Sequence, residues 1–154
     1  MILLAEASAA FEPYLARREQ FGQDVLALLD QGRLLAATDY IHAQRLRRKM
    51  RREFGRIWAE VDCFVAPATP NTAPPIGAKT IHIAGQEEDV RLATTRFARA
   101  INALGCPAIS VPCGLAAGLP AGLQIVAAPL AESVVLRIGA ALEDAGVSIP
   151  PLHL

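Results

Sequence analysis

The sequence predicts an α/β fold in which a sheet is covered by helices on both faces. Residues 108–111 and 123–127 are short apolar runs, typical of buried strands. Patterns of helical period flank both runs, which favours helices packed on the sheet. Between the runs, prolines and glycines predict a loop. These are Pro112, Gly114, Gly118, Pro120 and Gly122.

Three helical patterns precede the first predicted strand. Residues 2–16 and 23–34 repeat apolar side chains at intervals of three and four, and Gly32 is expected to end the second helix as a C-cap. A third, longer helix starts at Thr38 or Asp39 and extends to about Val61. The first pattern lacks the Ser, Thr, Asp or Asn that usually caps a helix. We therefore expect the chain to be cut from a longer one.

The long helix, residues 38–61, carries a basic stretch. It comprises Arg45, Arg47, Arg48, Lys49, Arg51, Arg52 and Arg56. Such a stretch is either a nucleic-acid or phosphate patch or a solvated helix face. The chain has 15 basic and 15 acidic residues, and no aromatic residue interleaves the stretch, which favours the solvated face. We expect no nucleic-acid partner, but an interaction module that uses this helix stays open as an alternative.

The remaining elements follow in order. Residues 62–67 predict a strand ended by Pro67, and residues 67–79 a proline-rich loop. A small hairpin around Gly85 is expected within residues 80–90. Helices are predicted at about 91–103 and 131–145, with Gly146 ending the last one and a tail from Ile149. Three strands are few for one sheet. We therefore expect residues 1–154 to form a single partial domain. Its exposed sheet edge is a candidate site of self-association.

Side chains capable of catalysis or metal binding are present without a supporting pattern. Neither the cysteines nor the histidines have the spacing of a metal site or of a catalytic pair, and neither candidate serine lies in a G-x-S-x-G motif. These are Cys63, Cys106, Cys113, His42, His82, His153, Ser110 and Ser133. Residues 87–89 form an acidic cluster that is expected to be a solvated loop. We predict no catalytic residue, no cofactor and no metal, with the cysteines reduced and buried in a cytoplasmic protein. No apolar run reaches the length of a membrane span.

Three segments, at residues 62–77, 102–114 and 118–124, together resemble the amidase signature family. Residues 62–77 are similar to its D-x-hydrophobic-hydrophobic-x-P-x-T-P segment with A-P-x-I-G, residues 102–114 to N-x-x-G-x-P-A-x-S-x-P-x-G, and residues 118–124 to G-L-P-x-G-L-Q. The resemblance implies the C-terminal part of the family's mixed sheet and the hydrolysis of carboxylic amides. The family uses a serine, a second serine in a cis peptide linkage, and a lysine.

Those three family residues lie in the N-terminal two-thirds of the family's chain. No Gly-Gly-Ser-Ser segment is present here, and Lys49 and Lys79 stand outside the matching context. The resemblance therefore implies the C-terminal third of an amidase, without its triad and inactive alone. A small-molecule amide would be the substrate of the full-length parent.

The resemblance also bears on the substrate. Glutamine-using members, the A subunits of tRNA-dependent amidotransferases, hold the charged end of the substrate with an arginine and an aspartate. The corresponding positions here are Leu28 and Thr95. A site without the bidentate arginine holds a carboxylate poorly. We expect these two residues to line the substrate pocket of an amidase for less polar acyl groups, and a fragment of an amidotransferase A subunit stays open as the alternative.

Overall fold

A computed structural model of the chain describes residues 1–147. The chain divides into two compact units, Met1–Glu53 and Phe54–Leu154. The expectation that both belong to one partial domain stays a prediction. The tail from Ile149, including His153, lies outside the described residues.

The first unit is helical. Its helices are α1 (Ile2–Phe11), α2 (Gln23–Arg33) and α3 (Ala37–Phe54), with a 3-10 segment at Glu12–Gln20 between α1 and α2. The helix predicted over residues 2–16 is wrong beyond Phe11. Pro13 provides the reason. Inside an α-helix, a proline ring clashes with the carbonyl of the preceding turn, and proline has no N–H to donate to it. Arg17 then leaves helical geometry altogether, with φ −115° and ψ 51°.

Gly32 lies inside α2 and not at its cap, which corrects the predicted C-cap. It is buried and faces α1 at close range. The Ser8 Oγ of α1 lies 2.7 Å from both the Leu29 and Leu4 carbonyl oxygens, which share its single hydroxyl proton. The glycine allows this approach because a larger residue would meet the Leu4 carbonyl.

An exposed ion pair joins the 3-10 segment to α2. The Arg18 guanidinium donates to both carboxylate oxygens of Asp30, with N–O distances of 3.1 and 2.6 Å. This hydrogen bonding lowers the pKa of Asp30 and raises the pKa of Arg18. The pair stabilises the fold above the ordinary pKa of an aspartate and loses that contribution as the pH falls through the lowered pKa. Exposed pairs contribute little to stability.

Helix α3 is shorter than the predicted helix to Val61. It ends at Phe54, and Gly55–Ala59 form a 3-10 segment, because Gly55 is a poor helix former. Its N-terminal half is tied to α1 by hydrogen bonds. The Tyr40 hydroxyl donates to Glu6 Oε1 at 2.9 Å, and Gln44 Nε2 donates to the same oxygen at 3.1 Å. None of its residues is buried.

The second unit contains two antiparallel sheets. The strands are β1 (Cys63–Pro67), β2 (Thr80–Ile83), β3 (Gln86–Asp89), β4 (Ala108–Ala116) and β5 (Leu119–Ala127). The larger sheet has the order β1-β5-β4, and β2 pairs with β3. The predicted hairpin around Gly85 is confirmed. Within the described residues β1 and β4 are the outer strands, the edges at which self-association stays a prediction.

The predicted loop between residues 112 and 122 is wrong. Both strands continue through it and meet in a two-residue turn at Ala117 and Gly118, with φ values of 51° and 77°. Two positive φ values are characteristic of the type I′ turn, one of the two common turns that close two-residue hairpins. A bulge at Cys113, between Pro112 and Gly114, lets the strand continue past a proline that has no N–H to donate.

The core lies between the larger sheet and α6 (Glu132–Asp144). On that face Val111, Ile125, Ala127 and Val135 form a buried cluster. On the opposite face of β5, Val126 is fully buried beside its cross-strand partner Phe64. The rings of Phe54 and Trp58 lie 5.7 and 5.9 Å from that of Phe64. Helical segments thus flank this sheet on both faces, as predicted.

The helix predicted at 91–103 is divided at Thr95 into α4 (Val90–Thr94) and α5 (Arg96–Leu104). The Thr95 hydroxyl donates to the Arg91 carbonyl at 2.7 Å. Competition of this kind between a short polar side chain and the backbone favours a helix boundary. Gly105, with φ 71°, ends α5 in the left-handed conformation.

Asp89 caps α4, so Asp89→Ala is expected to lower the free energy of unfolding by about 1 kcal/mol. Its Oδ1 accepts from the backbone N–H groups of Arg91 and Leu92 at 2.9 and 3.0 Å. Asp89→Asn keeps an oxygen that can accept these hydrogen bonds. Its free energy of unfolding is expected to stay within a few tenths of a kcal/mol of that of the parent protein. Urea denaturation compares the three proteins. Equal loss in both variants would show that the carboxylate charge, not the cap, stabilises this end.

Candidate functional site

A groove of about 410 Å³ lies on the larger sheet of the second unit. Strand β1, the loop that follows it and the β4–β5 hairpin form its walls. Its lining consists of Val65, Ala66, Pro67, Thr69, Pro70, Asn71, Thr72, Cys113, Ala116, Ala121, Gly122 and Leu123. Apolar and small side chains predominate, with a few polar groups, which is typical of a small-molecule site.

Gly122 is the residue of the sheet to which the loop after β1 is hydrogen-bonded. The Ala68 N–H donates to the Gly122 carbonyl at 2.8 Å. A Cβ at Gly122 would lie 2.7 Å from Ser110 Oγ and 3.0 Å from the Ala68 Cβ. The loop can therefore approach the strand this closely only with glycine at this position.

The loop after β1 is shaped by its own polar side chains. The Thr69 hydroxyl donates to the Asn71 carbonyl at 2.6 Å, and Asn71 Nδ2 donates to the Thr72 carbonyl at 2.6 Å. The Asn71 Oδ1 atom is buried and has no hydrogen-bond partner among the described residues. A buried acceptor of this kind needs a hydrogen-bond donor.

Cys113 is the one thiol in the groove lining, and it is exposed. The prediction of a buried thiol is wrong for Cys113, because the bulge turns this residue out of the regular strand. Its Sγ lies 3.5 Å from the Ala121 carbonyl oxygen. Cys63 and Cys106 are partly buried. In the part of the chain that the structure describes, the groove lining contains no serine, lysine or histidine.

The two residues predicted to line a substrate pocket lie in separate units. Leu28 is on α2 of the first unit, with 46% of its surface exposed. Thr95 is exposed between α4 and α5 of the second unit, next to Thr94, whose buried Oγ1 has no described hydrogen-bond partner. A shared pocket role for Leu28 and Thr95 stays a prediction.

The histidines that the structure describes are not part of the groove. His42 is exposed on α3, and His82 is exposed on β2 opposite Glu87. Within residues 1–147, no three His, Cys, Asp or Glu side chains are arranged to hold a metal ion. Over the same residues, no helix combines the length and hydropathy needed to cross a membrane.

The profile of the Amidase family matches residues 7–136, which is most of the chain. The chain belongs to the amidase family. The matched range includes β1, its loop and the β4–β5 hairpin, so all of the groove lining is amidase sequence. The resemblance drawn from the motifs is confirmed.

Curated amidase relatives match different shares of the chain. The AtzE component of 1-carboxybiuret hydrolase from Pseudomonas sp. (strain ADP) is 37% identical over 111 residues, 71% of this chain and 24% of the relative. The A subunit of glutamyl-tRNA(Gln) amidotransferase from Salinispora arenicola is 38% identical over 151 residues, 97% of this chain and 29% of the relative. An amidase from Pseudomonas putida is 36% identical over 148 residues, which are 94% of this chain and 31% of the relative.

Solved structures confirm the fold. A crystal structure of an amidase superposes with a TM-score of 0.85 at 29% identity, covering 92% of this chain and 33% of that one. A structure from a study of a vestigial protein complex and the origins of an s-triazine catabolic enzyme also superposes with a TM-score of 0.85, at 30% identity. The match covers 97% of this chain and 33% of that one. This chain thus spans 24% to 33% of the length of these relatives.

The groove itself is not among the sites predicted from the sequence. Its loop and its glycine fall in the P-x-T-P and G-L-P-x-G-L-Q segments, which the sequence identifies as family motifs without a role. Asn71 follows the first of these segments, and Gly122 lies within the second. The clustering of Thr, Pro and Asn just after a strand is the signal available in the sequence.

Proposed function

We propose that this chain is the C-terminal portion of an amidase-signature hydrolase that acts on carboxylic amides. The match of the Amidase family over residues 7–136 carries the proposal. The order of the three family motifs in the sequence supports the C-terminal placement. The proposal includes a cytoplasmic location, which cysteines without a disulfide pattern favour.

In this proposal the chain binds and orients the substrate while residues outside it break the bond. Amide hydrolysis needs a nucleophile, a proton relay and oxyanion donors in one place. The resemblance assigns the two serines and the lysine to the part of the family that this chain does not match. The apolar groove would receive an acyl group of low polarity, and Asn71 Oδ1 would accept a hydrogen bond from an amide N–H.

The proposal is tested by exchanging this chain for the corresponding segment of the Pseudomonas putida amidase. The purified chain alone is expected to show no turnover of aliphatic or aryl amides, whereas the chimaera is expected to hydrolyse them. In the chimaera, Asn71→Leu should raise KM more than it lowers kcat, because it removes a binding contact. Turnover by the isolated chain, or a folded chimaera with no activity, would contradict the proposal.

The A subunit of a glutamine-dependent amidotransferase is the second candidate. It is favoured by the relative from Salinispora arenicola, which matches 97% of the chain. The uncharged Leu28 and Thr95 oppose it, since a free carboxylate or α-amino group needs a charged partner. Glutamine turnover by the same chimaera, equal to its turnover of a simple amide, would favour the second candidate over the first.

A further inference from the structure

The C-terminal half of α3 concentrates positive charge. Six of the eight residues between positions 45 and 52 are cationic: Arg45, Arg47, Arg48, Lys49, Arg51 and Arg52. They are six of the 15 basic residues in a chain that is neutral as a whole. Overall neutrality therefore conceals a strong separation of charge along the sequence.

The helix arranges these cations along two adjacent stripes. Arg45, Arg48, Lys49 and Arg52 line a shallow depression of about 250 Å³. Gln44, Arg47, Arg48 and Arg51 line a second of about 290 Å³. Each set has the spacing i, i+3, i+4, i+7, which places side chains on one helix face. Arg48 belongs to both stripes, and each stripe extends about 10 Å along the helix axis.

Apart from Arg47, the cations of this stretch make few ion pairs within the described residues. Leaving Arg47 aside, the ion pair that this stretch makes within the described residues is Lys49 Nζ to Glu53 Oε1 at 3.8 Å, with both side chains more than half exposed. Like charges three or four residues apart destabilise a helix. A bound polyanion would relieve that repulsion at several positions together.

We propose that residues 45–52 bind the backbone phosphates of a double-stranded nucleic acid without reading its sequence. Five of the six cations are arginine, whose planar guanidinium matches phosphate oxygens in a bidentate fashion. A duplex carries one negative charge per about 1.7 Å of axis, so a stripe of about 10 Å faces several phosphates. The inference is independent of the amidase proposal.

The same stretch argues against other anionic partners. It contains no aromatic residue, and sequence-independent binders of single strands stack bases on aromatic rings. Leu46 and Met50 are its two apolar residues, too small an apolar face for a helix that inserts into lipid. In the sequence alone, the lack of aromatic residues favours a solvated helix face over a nucleic-acid patch. This lack excludes only the stacking of bases on the helix, and contacts with phosphates need no aromatic residue.

The test is fluorescence anisotropy of the purified chain with a labelled 20-base-pair RNA duplex and a DNA duplex of the same sequence. Both should bind, and a scrambled sequence should bind equally well. The logarithm of the affinity should fall linearly with the logarithm of salt concentration, with a slope of about −3 to −4 for about four phosphates. Arg48→Gln should reduce the affinity several-fold and the slope by about one.

Arg137→Gln is the matched control, because Arg137 is exposed on α6 and its loss changes the net charge equally. It should leave affinity and slope unchanged. Arg52→Gln repeats the test at a second position, and circular dichroism confirms that each variant keeps its helix. Four outcomes would overturn the proposal: no duplex binding at 50 mM salt, equal losses in Arg48→Gln and Arg137→Gln, competition by polyglutamate as strong as by duplex, or tighter binding to anionic vesicles.

Discussion

Ile125→Ala is expected to lower the free energy of unfolding by about 4 kcal/mol. Ile125 is fully buried in the central strand β5. It packs with Val111, Ala127 and Val135 between the sheet and α6. Removing most of its side chain leaves a cavity that the strands on either side cannot close, so the cost includes both lost burial and lost contacts. Urea denaturation followed by circular dichroism measures the change.

Ile76→Ala is the matched control for this prediction. The same residue type is fully exposed at position 76, in the proline-rich loop. The identical substitution there should change the free energy of unfolding by less than about 0.5 kcal/mol. Comparable losses at both positions would mean that the β5 core does not limit the stability of the chain.

Gly32→Ala is expected to cost about 3 kcal/mol, the upper end for overpacking. A Cβ at this position would lie 2.0 Å from Ser8 Oγ and 2.1 Å from the Leu4 carbonyl oxygen. The serine hydroxyl can rotate, but the carbonyl belongs to the backbone of α1. The helices α1 and α2 must therefore separate to admit one methyl group, which also disrupts the hydrogen bond from Ser8 Oγ to the Leu29 carbonyl.

Gly55→Ala serves as the control, since no atom beyond the adjoining residues and local helix backbone lies within 4 Å of the position that its added methyl group would occupy. It should leave stability unchanged or raise it by up to about 1 kcal/mol. A second comparison combines Gly32→Ala with Ser8→Ala. If the double variant recovers full stability, the serine alone causes the conflict and the proposed clash with the backbone is wrong.

Elements defined by local signals were predictable from the sequence. The patterns for α2, β1 and α6 gave bounds close to those observed, since apolar periodicity marks such elements. For β1 and α6, a proline or glycine at the end also marked the boundary. The β2–β3 hairpin followed from the turn glycine Gly85. In each case the deciding residues lie within a few positions of the element.

Elements that depend on pairing or on a single disruptive residue were missed. The β4–β5 hairpin contains prolines and glycines that predict a loop, yet cross-strand pairing and a bulge keep both strands extended. Ala117 adopts a positive φ that its own preferences oppose. In the N-terminal helix, Pro13 outweighed an otherwise continuous apolar pattern.

The candidate site was less predictable than the fold. The groove exists because the Ala68 N–H reaches the Gly122 carbonyl, a contact between segments more than 50 positions apart. Periodicity carries no information about such a contact. The family motifs contained the residues involved, but only their pairing in space gives them a shared role.

The central strand β5 has a further consequence for motion. Its second half, residues 124–127, is buried, whereas Leu119 and Pro120 near the hairpin turn are exposed. Local opening of a protein begins where burial is least. The hairpin tip can thus fray while the core end stays folded, and the part of the groove wall formed by the hairpin near its turn can open without global unfolding.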